Sequence, residues 1–109
     1  MTLSVCNVDE LAEGEMRRVT LPGFPPLAVY RVDGSFFVTD DMCTHGEASL
    51  TEDGELEGFQ IICSWHFGKF DIRTGDFLAS PCNRPLRTYP VAVEGREVIL
   101  LDDSAKAAD

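Results

Sequence analysis

Long apolar runs are missing from this chain of 109 residues. The longest candidates, around 59–63 and 98–101, fall far short of the roughly 18 residues that a membrane span needs, so no membrane segment is expected. Positive charge is scarce: nine Lys and Arg stand against nineteen Asp and Glu, for a net charge of -10. Nucleic acid and anionic lipid are thereby excluded as partners, because binding either takes a positive surface that displaces counterions. The opening stretch has no basic residue before Asp9 and Glu10. The expectation is therefore a cytoplasmic protein without a secretory leader. Histidine is rarer still, with two in the chain, His45 and His66. Helical periodicity, internal repeats, low-complexity tracts and linkers are absent as well.

What is present is a 44% apolar content spread along the chain, with 26% charged residues. That composition suits one folded domain, 1–109, with a modest core to which a bound metal would add stability. Turn residues divide the chain into short strand-like segments at 3–7, 16–21, 27–32, 35–40, 59–63, 69–72, 76–78, 86–94 and 97–102. Asp33-Gly34 suits a tight hairpin turn between two of them, and Gly95 marks another. Strands at this spacing predict an all-β fold, an antiparallel sandwich or small barrel. The stretch 42–84 is richer in loops than its flanks. It reads as a subdomain inserted into a β base formed by 1–41 and 85–109.

Four cysteines, Cys6, Cys43, Cys63 and Cys82, could form two disulfides in a secreted protein. In a reducing cytoplasm such residues bind metal or stay as thiols. Their neighbours separate them. Cys43-Thr44-His45 and Cys63-Ser64-Trp65-His66 each pair a thiolate with an imidazole, with 17 residues between His45 and Cys63. A structural zinc accepts two cysteines and two histidines, so a zinc-stapled interaction module is one reading. Zinc knuckles usually keep cysteines together and histidines together. The mixed order suits instead a site of two metal ions, one held by cysteines and one by histidines.

C-x-H, 17 residues, then C-x-x-H resembles the signature of Rieske proteins, whose [2Fe–2S] cluster has two cysteine ligands on one iron and two histidine ligands on the other. The resemblance runs through nearly the whole chain. It is greatest to the small Rieske ferredoxins of bacterial aromatic-ring dioxygenases, of the biphenyl and toluene type. Cys43-Thr44-His45-Gly46, Leu56-Glu57-Gly58, His66-Phe67-Gly68-Lys69-Phe70 and Arg73-Thr74-Gly75 carry it.

The resemblance implies that Cys43 and Cys63 hold the inner iron and that His45 and His66 hold the outer one at the protein tip. Gly46 and Gly68 would let backbone pass close to the cluster, Trp65 would cover it, and Pro81 would lie in the loop over it. Cys82 would sit nearby without being a ligand, and Cys6 would be a small core residue. Respiratory-chain Rieske proteins carry a disulfide across the two ligand loops, where Ala48 and Trp65 stand here. They also carry a serine and a tyrosine hydrogen-bonded to sulfur, where Gly68 and Phe70 stand. The implied function is that of a soluble one-electron carrier, not an enzyme. It would link an FAD-containing, NADH-dependent ferredoxin reductase to a terminal Rieske oxygenase, acting as a monomer at low potential. The alternative within the class is a Rieske ferredoxin serving a different oxygenase or reductase. Acidic Asp40, Asp41, Glu47, Glu52 and Asp53 are expected to steer basic partner surfaces, with Phe67 and Pro81 as an apolar contact.

Overall fold

The computed structural model describes residues 3–42, 49–63, 68–79 and 86–101. Eleven strands in that part of the chain form three antiparallel sheets. One sheet joins β1 (Leu3–Asn7), β11 (Glu97–Leu100) and β10 (Val91–Glu94), in that order. The second orders β2 (Met16–Val19), β3 (Leu27–Val32), β4 (Ser35–Asp40) and β9 (Thr88–Tyr89). The third is a meander of β5 (Gly54–Glu57), β6 (Gln60–Cys63), β7 (Gly68–Asp71) and β8 (Phe77–Ala79). One helical turn, α1 (Leu50–Asp53), leads into β5. The all-β antiparallel expectation holds.

β3 organises the interior. Its sequence Leu-Ala-Val-Tyr-Arg-Val is nearly continuous apolar because the strand is covered on both faces. Successive side chains point to opposite faces, so the strand supplies two cores at once. Leu27 and Val29 join Val5, Cys6, Phe36, Val98 and Leu100 against the terminal sheet. Ala28, Tyr30 and Val32 join Leu50, Ile61, Cys63, Phe70, Ile72 and Leu86 against the β5–β8 meander. The Tyr30 hydroxyl in this second core is satisfied by Thr39 Oγ1 at 2.9 Å. Between β3 and β4, Asp33 (φ 56°) and Gly34 (φ 77°) both adopt the left-handed conformation of a two-residue hairpin turn. The Glu13 carboxylate accepts from both of their amides, at 2.5 and 2.9 Å, which draws that side chain's pKa down.

Two segments differ from expectation. Residues 86–94 are not one strand: Pro90 has no N–H for a ladder, and the chain changes sheets there. Before it, β9 pairs with β4; after it, β10 pairs with β11. Conversely, Gly54–Glu57 is a strand, although Glu52-Asp53-Gly54 reads as a turn and the next expected strand begins only at residue 59. Its partner β6 brings Ile61 and Cys63 into the core, and the pairing outweighs the weak propensity.

Because β3 belongs to both cores, the two should unfold together. Leu27→Ala in one core and Ile61→Ala in the other are each expected to cost about 2–5 kcal/mol. Urea unfolding followed by far-ultraviolet circular dichroism should show a single transition in each variant. A separate early transition in either one contradicts a shared central strand.

Candidate metal centre

Strand direction places the end of β6, the starts of β5 and β7 and the end of β8 at one end of the meander. β6 ends at Cys63, and β7 runs back from Gly68, its antiparallel partner. β5 is antiparallel to β6 and starts at the same end, with Gly54 opposite Cys63 on its other side. β8 finishes there too, Ala79 pairing with Lys69, one residue from Gly68. Farther along, the Leu86 amide donates to the Gly75 carbonyl at 2.7 Å.

The 43–48 loop arrives through α1. An isolated antiparallel bridge between Met42 and Ser49 closes its base. Ser49 caps the helical turn by accepting from the Glu52 amide, and the Gly54 amide at the other end donates to the Leu50 carbonyl. Five residues after the loop closes, the chain is therefore opposite Cys63. Leu50 and Cys63 also share one core, each with no exposed surface.

Asp41, at the start of this loop, is 2% exposed. Its Oδ2 accepts from Ser49 Oγ at 2.6 Å, and its Oδ1 accepts from Thr51 Oγ1 at 2.8 Å and the Thr51 amide at 2.9 Å. The Arg18 guanidinium lies 3.6 Å from Oδ2. Steering by Asp41 is thereby corrected: its charge is spent inside the protein. Asp40 accepts from the Tyr89 hydroxyl at 2.7 Å, while Glu52 is exposed and lies 3.5 Å from Arg18. The sequence reading missed the anchor at Asp41. Its available signal was Ser49 with Glu52 three residues later, a helix-start pattern that places a structured turn just after the loop.

Of the residues singled out in the sequence, Cys63 and Gly68 are described, paired and buried. Phe70 is fully buried in the core behind them. Cys43, His45, Gly46, Glu47, Trp65, His66, Phe67, Pro81 and Cys82 lie outside the described residues. The donor chemistry can still be tested. A cluster held by four thiolates would have to use Cys6. That residue sits on β1 in the core on the opposite face of β3 from Cys63, where burial pushes its thiol pKa up. Cys6 and Cys63 therefore belong to different cores and are not placed to share a metal.

The Rieske [2Fe-2S] domain family matches residues 1–90. The chain belongs to that family. Its cofactor is a Rieske-type [2Fe–2S] cluster. This Rieske chain is 56% identical over 98 residues to the ferredoxin component of a p-cumate 2,3-dioxygenase system from Pseudomonas putida, covering 90% of this chain and 83% of that one. It is 46% identical over 103 residues to the biphenyl dioxygenase ferredoxin subunit of Pseudomonas sp. strain KKS102, covering 94% and 92%. Among solved structures, it superimposes on the ferredoxin in a complex of reduced oxygenase and oxidized ferredoxin of carbazole 1,9a-dioxygenase. The TM-score is 0.85 at 45% identity, with 91% of each chain covered.

In this Rieske chain, Gly54 is the tightest joint between α1 and β6. A methyl group there would stand 2.5 Å from the Leu50 carbonyl oxygen and 3.0 Å from that of Ile62, both backbone atoms that cannot swing aside. Gly54→Ala should therefore cost about 2–3 kcal/mol and lower the iron bound per chain. Thermal melting and iron analysis of the purified variant check this; wild-type values in both would contradict it.

Proposed function

We propose that this protein is a soluble one-electron carrier of an aromatic-ring dioxygenase system. It takes electrons from an FAD-containing, NADH-dependent ferredoxin reductase and delivers them to a terminal Rieske oxygenase. The observation that carries this reading is near-full-length identity to ferredoxin components of such systems. A structural relative has also been captured with its oxygenase. The chain works as a monomer in the cytoplasm; among the described residues, no helix is long and apolar enough to cross a membrane.

Cys43 and Cys63 hold the inner iron, and His45 and His66 hold the outer one. When bound, the cluster supplies one reversible electron. The chain supplies the rest. Residues 42–84 form the cluster-binding subdomain, and 1–41 with 85–109 form the base that carries it. The meander buries Cys63, which keeps water from its sulfur, and the hairpin loop after it carries His66 outward at the tip. Gly46 and Gly68 let backbone approach the cluster, while Trp65 and Pro81 cover it. Gly68 and Phe70 offer no side-chain donor to sulfur, which favours a low potential. The identity of the aromatic substrate belongs to the oxygenase partner.

His66→Ala and His45→Ala should each lose most of the bound iron and visible absorbance, whereas Cys82→Ala should keep both. Because cluster binding and folding are coupled, the histidine variants should also melt earlier. Full iron content in His66→Ala contradicts the ligand assignment. The carrier role is tested by anaerobic mixing with NADH and a catalytic amount of the reductase. One electron should enter per chain, and oxygenase added afterwards should withdraw it. A reduced protein that oxygenase leaves reduced contradicts the role.

A further inference from the structure

Thr39 and Asp41 are the buried polar or charged residues among those described, and Asp41 alone of the two carries a charge. Burying a carboxylate is costly unless donors surround it. The hydrogen bonds here join the two sides of residues 43–48. Ser49 and Thr51, which follow that stretch, supply the three that the carboxylate of Asp41, which precedes it, accepts among the described residues. The Asp41 backbone adds two more ties, its amide donating to Pro26 O at 2.9 Å and its carbonyl accepting from the Leu50 amide at 2.7 Å. Arg18 reaches in from β2, shared between Asp41 and the exposed Glu52. A residue that merely rimmed a loop would point outward, as Met42 does at 48% exposure.

We infer that Asp41 is a positioning residue for the cluster, clamping the base of the loop that carries Cys43 and His45 and, through Thr51 and the α1 turn, fixing that loop against Cys63. The inference rests on the ligand assignment proposed above. It has a mechanical part and an electrical part. Mechanically, the clamp makes the two loop bases one unit, so a pair of ligands from each loop is held at constant separation. Electrically, it fixes a negative charge below the site. Reduction adds a further negative charge to the cluster, so a fixed carboxylate disfavours the reduced state.

The two parts separate by mutation. Asp41→Asn keeps the shape and removes the charge; Thr51→Val removes the hydroxyl bond to the carboxylate, Ser49→Ala removes its bond to the carboxylate together with the α1 cap, and both leave the charge. Glu52→Gln removes a carboxylate beside the same arginine but outside the clamp. Each holoprotein is measured for reduction potential, for the electron paramagnetic resonance spectrum of the reduced state, and for iron release to a chelator. Asp41→Asn should shift the redox equilibrium toward the reduced form by about tenfold, which is 59 mV for one electron, and release iron about five to ten times faster. Ser49→Ala and Thr51→Val should release iron a few times faster and alter the resonance spectrum, with little change in potential. Glu52→Gln should match the wild type in all three. Should Asp41→Asn fail to fold, the Ser49 and Thr51 variants carry the test. Wild-type release and spectra in those two, or a shift in Glu52→Gln as large as in Asp41→Asn, would overturn the clamp. A wild-type protein whose cluster shows no histidine ligation would instead overturn the ligand assignment on which it stands.

Discussion

The site end of the meander depends on how Cys63 is packed at the end of β6. The side chain ends β6 with no exposure to water, in a row across the sheet between Gly54 and Gly68. Burial there keeps water from the sulfur, and a strand lies on each side of it. The rest of the ligand end is arranged around this strand terminus. Glycines stand opposite it on both neighbouring strands, Gly54 on β5 and Gly68 on β7. The core behind, with Leu50, Ile61 and Phe70, makes the platform rigid. A carrier benefits from that rigidity, because geometry that does not relax on reduction lowers the reorganisation each transfer must undergo.

Charge is handled differently at two depths. The surface is strongly acidic, with a net charge of -10 over the chain. Exposed carboxylates such as Glu52 interact through a screened field that reaches about 8 Å at physiological ionic strength. Asp41 lies beneath that layer, and its carboxylate is held by named donors. Two neighbouring acids in sequence, Asp40 and Asp41, therefore serve two structural ends: one receives the Tyr89 hydroxyl and the other ties a loop. Neither is a free surface charge.

Much of this was legible from residue order. Alternating apolar segments with Asp33-Gly34 between two of them specify a hairpin through local sterics, and β1, β3 and β4 occupy the expected residues. The mixed Cys/His pairs pointed to a two-metal site because ligand chemistry is local too. What could not be read depends on contacts distant in sequence. Gly54–Glu57 is a strand only because β6 lies beside it. The split at Pro90 follows from which sheet each half meets. Asp41 looks like any loop acid until Ser49, Thr51 and Arg18 are brought around it. The assignment of β3 to two cores rests on which sheets cover its faces, and no alternation within its own six residues announces that.

The central claim is that imidazoles from two separate loops share one cluster. The chain has two histidines, His45 and His66, so labelling every histidine with ¹⁵N marks both ligands and nothing else. Pulsed electron paramagnetic resonance of the reduced, labelled protein is the most direct measurement. Two distinct histidine nitrogen couplings to the cluster are predicted. One coupling, or none, would mean that the loops do not converge as the fold arranges them, and would contradict the account.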